Sequence, residues 1–208
     1  MFCAYATSFC LALAAMADDP GMADETFSDV AARLAAPDVL RGHFEQIREI
    51  EMLSKPLLSS GRFVLSDMGL YWQQDTPVAS VMIADAERLL QSVGDGALQS
   101  LDVAKNPVVL SFSESFLSIF AGNEAGLRQN FDVAFTPAEN ESGDWEITLT
   151  PASFPMSEAV ASIIITGREY IGVLTVISRT SDKTIIRFSE LQTKPDQLTE
   201  HEIELYAR

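Results

Sequence analysis

The chain has 208 residues, 47% of them hydrophobic, with 14 Lys and Arg against 30 Asp and Glu and a formal net charge of −16. An apolar fraction of that size excludes a disordered acidic tail, and the length suits one well-buried core better than two. The charge excludes a nucleic-acid binder, which needs a basic surface to displace counterions, and it excludes docking on anionic lipid through a polybasic patch.

Met1 to Ala17 carries no charged side chain, and Asp18 and Asp19 follow at once. The apolar run Phe9–Ala17 has the length of a signal-peptide core and is too short to span a bilayer. Ala15-Met16-Ala17 supplies the small residues of a signal-peptidase site, with Gly21-Met22-Ala23 as a second candidate. Residues 1–17 are therefore expected to be a signal peptide and 18–208 a single exported domain, although no Lys or Arg precedes the run. A buried N-terminal helix is the alternative. Cys3 and Cys10 both fall inside the leader, which leaves the mature chain without thiol or disulfide chemistry. The periplasm is the expected compartment.

Thr26 is placed to cap a helix in which Phe27, Val30, Ala31 and Leu34 recur at helical spacing before Pro37. Short strand-like segments follow at Leu40–Ile50, Leu57–Ser66, Gly69–Gln74, Ala79–Asp85, Arg88–Val93 and Leu98–Val103, with Gly94-Asp95-Gly96 as a hairpin turn. After Asn106-Pro107 the pattern turns helical. Val108, Val109, Leu110, Phe112, Phe116, Leu117, Ile119 and Phe120 spread over an arc of roughly 200°, twice the stripe of about 100° that covers a core. Gly122 closes this helix, and 123–129 predicts a second, short one. Strands resume at Phe131–Thr136, Trp145–Thr150, Ser162–Tyr170, Gly172–Arg179 and Thr184–Leu191, with Pro151–Val160 a loop or short helix between them. The charged end, 197–208, reads as an edge strand or a frayed tail. The expected fold is mainly β with α: one strongly curved antiparallel sheet, an incomplete β-barrel, with short helices across one opening.

Catalytic patterns are missing. His43 and His201 stand far apart in sequence without metal-spaced partners, and no Gly-x-Ser-x-Gly elbow, Walker loop or dinucleotide fingerprint occurs. The carboxylates are too many for any pair to be singled out as a glycosidase-type acid and base. The expectation is a protein with no enzymatic activity, no cofactor and no metal. What stands out is apolar: Phe44, Phe63, Tyr71, Trp72 and the 108–120 segment. Two readings stay open, a filled core, or a hydrophobic cavity between the curved sheet and its over-apolar helix.

Several motifs stand in an order that resembles a known family. Phe44-Glu45-Gln46 is followed by Ser60-Gly61-Arg62-Phe63, Gly69-Leu70-Tyr71-Trp72, the helix opened by Asn106-Pro107, Trp145–Pro151 and Asp182–Phe188. Together they resemble the periplasmic outer-membrane lipoprotein carrier (LolA) family, in its divergent related branch. The resemblance implies a hydrophobic cavity that shields the acyl chains of lipoprotein or other acylated lipid cargo. It also implies an inner-membrane export complex as donor, an outer-membrane acceptor, and a carrier that works as a monomer. Carried over, Phe44, Phe63 and Trp72 belong to the barrel side of a lipid-binding site, and Val109, Phe112, Phe116, Leu117 and Phe120 to its lid. One departure is visible: the Arg-Pro pair whose Arg latches the lid elsewhere in the family is absent from Leu65–Leu70. The alternative function is a non-transporting envelope binding or assembly module that uses the acidic surface.

Overall fold

The computed structural model describes residues 25–85, 88–94, 96–100, 117–118, 122–138 and 144–207. The expected leader, and Val109, Phe112, Phe116 and Phe120 of the expected lid, lie outside the described residues.

The strands are β1 (Leu40–Glu49), β2 (Leu57–Ser66), β3 (Gly69–Thr76), β4 (Ser80–Ala84), β5 (Leu89–Val93), β6 (Gln99–Ser100), β7 (Phe131–Thr136), β8 (Trp145–Pro151), β9 (Val160–Gly167), β10 (Ile171–Ser178) and β11 (Lys183–Gln192). They form one antiparallel sheet in the order β6-β5-β4-β3-β2-β1-β11-β10-β9-β8-β7. Two meanders are joined at their far ends in sequence: β1 and β11 pair in the middle of the sheet, with Phe44 opposite Phe188 and Gln46 opposite Ile186. The edges β6 and β7 do not meet, so the sheet stays open.

Side chains alternate between the two faces. On the inner face, Phe44, Phe63, Leu70, Ile147, Leu149, Ile163, Ile165, Leu174, Ile186 and Phe188 belong to one continuous buried cluster. Eleven strands at about 4.8 Å spacing would make a flat sheet roughly 50 Å wide, too wide for short helices to cover. The sheet therefore curls around them. Register shifts at Arg41/His43, Ser60/Gly61 and Ile171/Val173 mark bulges that add local twist and curvature.

Among the described residues, helices α1, α2 and α3 serve the inner face. Helix α1 (Phe27–Leu34) starts at a capping box in which the Thr26 hydroxyl accepts from the Asp29 N–H and the Asp29 carboxylate accepts from the Thr26 N–H. It buries Phe27, Val30, Ala31 and Leu34 in the cluster. Helices α2 (Glu124–Asn130) and α3 (Met156–Ala159) add Leu127 and Met156.

The C-terminal stretch is neither an edge strand nor a frayed tail. Helix α4 (Glu200–Tyr206) opens on a second capping box, Thr199 with Glu202, and packs Leu205 and Tyr206 with Val39, Val64, Tyr71 and Ile83. By strand alternation these residues face away from Phe63 and Leu70, so α4 lies on the outer face.

Candidate functional site

The inner face of β1, β2, β3 and β11 carries an aromatic cluster, placed there by register. Phe63 lies opposite Gly42 on one side and Trp72 on the other, while Phe44 lies opposite Gly61. Two glycines make room here, Gly42 for the Phe63 ring and Gly61 for the backbone of β3. A Cβ on Gly42 would fall 2.9 Å from the Phe63 ring, and one on Gly61 only 1.9 Å from the Gln73 carbonyl oxygen. Phe44 and Trp72 stack with centroids 3.7 Å apart and planes at 23°. Phe63 lies 6.1 Å from Trp72, and Phe188 meets Phe63 and Trp72 edge-on at 5.5 and 6.3 Å. Phe44 and Phe63 are each 1% exposed, whereas Trp72 is half-buried. Of these three, Trp72 is the one that retains an accessible surface.

Leu117 is the part of the expected lid within the described residues. It is half-buried, packs on the same inner cluster and faces a cleft of about 410 Å³ with Leu34, Pro37 and Leu65. Asp38, Asp67 and Asp85 stand around this apolar floor. The segment then turns through Gly122, whose φ of +57° is left-handed and whose added Cβ would lie 1.9 Å from the Ala31 carbonyl oxygen. Only glycine permits that approach to α1. Beyond it, Ser28 donates to Glu124 at 2.6 Å and the Arg128 guanidinium sits 5.3 Å from the Phe27 ring centre. The Ser28 hydroxyl, and then Arg128, hold the Glu124 carboxyl below its ordinary value. Helices α1 and α2 thus form one layer on the inner-face cluster to which these aromatic residues belong.

The structure brings Phe44, Phe63 and Trp72 together and sets Leu117 against the same core. Sequence reading missed Phe188 as a member of the cluster. Its alternation with Ile186 was visible, but its position beside Phe44 depends on pairing between strands from opposite ends of the chain. At Leu65–Leu70, where the family's latch residues would stand, the chain makes the tight β2–β3 turn. Its Gly69 carbonyl accepts from the Tyr206 hydroxyl at 3.2 Å. No group of His, Cys, Asp and Glu among the described residues is arranged to hold a metal ion.

An open antiparallel sheet curled around an aromatic cluster and topped by short helices defines an incomplete β-barrel. Residues 22–183 match the family model described as outer membrane lipoprotein carrier protein LolA-like, and the chain belongs to that family. Solved structures align with it at low identity and with TM-scores below 0.5. A DUF1329 family protein from Desulfovibrio piger is 10% identical with a TM-score of 0.48, covering 84% of this chain and 94% of its own. A domain described as an outer membrane lipoprotein-sorting protein from Vibrio parahaemolyticus is 11% identical with a TM-score of 0.45, covering 87% and 98%. A LolA superfamily protein from Nitrosomonas europaea is 7% identical with a TM-score of 0.37, covering 85% and 96%. No curated protein matches the sequence. Among the described residues no helix is long and apolar enough to cross a membrane.

Proposed function

We propose that the chain is a non-enzymatic periplasmic carrier that shields the acyl chains of a lipoprotein, or of another acylated lipid, during transfer from the inner to the outer membrane. The observation that carries this reading is Trp72, half-buried beside the fully buried Phe44 and Phe63 in the inner-face cluster that α1 and α2 share, in a chain of the lipoprotein-carrier-like family. Residues 1–17 direct export, and 18–208 act as a monomer between an inner-membrane export complex and an outer-membrane acceptor. Phe44, Phe63 and Trp72 form the floor for the acyl chains, with Val109, Phe112, Phe116, Leu117 and Phe120 closing over them. Each buried methylene contributes about 0.8 kcal/mol, so acyl chains are held without chemistry or cofactor. Release then needs open and closed states within a few kcal/mol of each other.

Native mass spectrometry of protein purified from a periplasmic extract tests the reading. Discrete added masses that extract as acyl lipid or lipopeptide are expected. Trp72→Ala is expected to weaken uptake of a fluorescent fatty acid while the fold is retained. A clean unliganded mass together with no fatty-acid uptake would make the interior a filled core and favour an assembly module.

A further inference from the structure

Most of the large apolar side chains that stay exposed among the described residues gather at one end of the sheet. β1 ends and β2 begins at that end, and the β3–β4, β8–β9 and β10–β11 connections turn there as well. Met52 is 93% exposed, Phe154 78%, Leu58 62% and Val78 53%, with Leu53 and Leu57 beside them near 50%. Of the exposed large apolar residues described, the remaining strand-connecting one at the opposite end is Met68, in the β2–β3 turn.

The loops bearing these residues are braced. The Glu51 N–H donates to Asp182 Oδ1 at 3.0 Å, which ties the β1–β2 loop to the β10–β11 turn. Arg179 in that turn donates from Nε to the Ser157 carbonyl and from its backbone N–H to the Ala159 carbonyl, each at 3.0 Å. Gln74 Nε2 holds the β3–β4 turn through the Val78 carbonyl at 2.8 Å. The tips are therefore presented by a fixed rim.

The charges of the rim are mixed. Arg48, Lys55, Arg179 and Lys183 stand among Glu49, Glu51, Asp75, Glu158 and Asp182, close to balance on a chain of net charge −16. A protein partner would ask for a continuous apolar patch, whereas these side chains stand on separate loops with charged residues between them. Separate apolar tips beside basic residues suit a fluid interface in which each enters between headgroups. We propose that this rim docks the protein on the surface of a phospholipid bilayer, with Met52, Leu53 and Phe154 entering the boundary between headgroups and acyl chains. The strongly acidic remainder of the surface keeps other faces away from the membrane and so sets the orientation. The purpose of such docking rests on the carrier reading, but its measurement does not.

The test is flotation with phosphatidylcholine vesicles, with and without phosphatidylglycerol. The protein should float with pure phosphatidylcholine and still do so in about 0.5 M salt, since apolar insertion is not screened. The paired substitution Met52→Asp and Leu53→Asp should reduce binding about tenfold, and Phe154→Asp should reduce it less. These side chains are exposed, and unchanged near-UV circular dichroism would confirm retained packing. Failure of the protein to bind pure phosphatidylcholine, undiminished binding by both variants, or binding only to anionic vesicles that salt releases would overturn the proposal. Fatty-acid uptake measured on the same samples separates the two readings. Vesicle binding lost with uptake retained supports the rim. Vesicle binding present with uptake absent in the unsubstituted protein overturns the carrier reading and leaves the rim standing.

Discussion

The two faces of the sheet are held by different physics. On the inner face, α1 and α2 are attached mainly by apolar contact and by the close approach of Gly122 to Ala31, with polar links such as Ser28–Glu124 at exposed margins. On the outer face, α4 is fixed by directional bonds. Arg41, from β1, forms a fork with the Glu202 carboxylate, its Nη2–Oε2 distance 2.9 Å, and donates to the carbonyls of Pro195 and Gln197 at 2.7 and 2.9 Å. The Tyr206 hydroxyl donates to the Val64 carbonyl at 2.8 Å. Apolar contacts are non-directional and tolerate sliding, whereas a bidentate ion pair has one geometry. Among the described residues, the face proposed to open for cargo is thus the one with fewer directional bonds, such as that from Arg33 Nη2 to the Arg168 carbonyl at 2.8 Å.

The largest expected effect breaks the inner attachment. Gly122→Val must place a branched side chain at a φ of +57° and against the Ala31 carbonyl. A loss of about 3 kcal/mol is expected, read as a fall in urea midpoint, from left-handed strain plus overpacking. An unchanged midpoint would mean that the inner layer is not anchored there.

Next comes the outer clamp. Arg41 and Glu202 are 14% and 12% exposed, so Arg41→Ala leaves a poorly solvated carboxylate and should cost about 2 to 3 kcal/mol. Hydrogen bonds from Arg41, and then from the Thr199 N–H and hydroxyl, bring the Glu202 pKa from 4.5 down to about 2. A carboxyl whose pKa is lowered on folding contributes stability that is present above pH 4.5 and lost as the pH falls toward 2. Melting followed between those limits should show this acid loss, and Glu202→Gln should flatten it. An equal slope in the variant would assign acid sensitivity to other carboxylates.

Much of this contrast was legible in advance on the inner side and little on the outer. β2 and β7 begin and end where the sequence placed them, because turn-forming residues bound alternating apolar runs. The grouping of Phe44, Phe63 and Trp72 came from the family resemblance, and the strand register sets the three on one face. The partnership of Phe44 with Phe188 was not legible, since pairing across nearly the whole chain leaves no local trace. Helix α4 did leave one: Thr199 and Glu202 stand at capping-box spacing, and the charges around them hid its short apolar stripe of Leu205 and Tyr206. The glycines are a similar case. Gly42, Gly61 and Gly122 are readable as turn or strand-weakening residues, but that each makes room for a particular neighbour is a tertiary fact.

The smallest expected effect sharpens the outer clamp further. Tyr206 is buried, meets the Tyr71 ring edge-on at 6.1 Å and bonds the carbonyls at both ends of the β2–β3 turn. Tyr206→Phe keeps the ring packing and removes the donor, so a loss of about 1 kcal/mol is expected at neutral pH. Burial raises the phenol from its ordinary value of 10 to about 12. The neutral form is therefore favoured by folding, and its contribution is intact below pH 10 and declines as the pH rises toward 12. Denaturation midpoints of the two proteins should converge across that interval, because the variant has no phenol to ionise. Convergence would make the outer clamp limited by Glu202 in acid and by Tyr206 in alkali. The absence of any gap at neutral pH would instead mean that Tyr206 acts through its ring packing against Tyr71, and the clamp would reduce to its single ion pair.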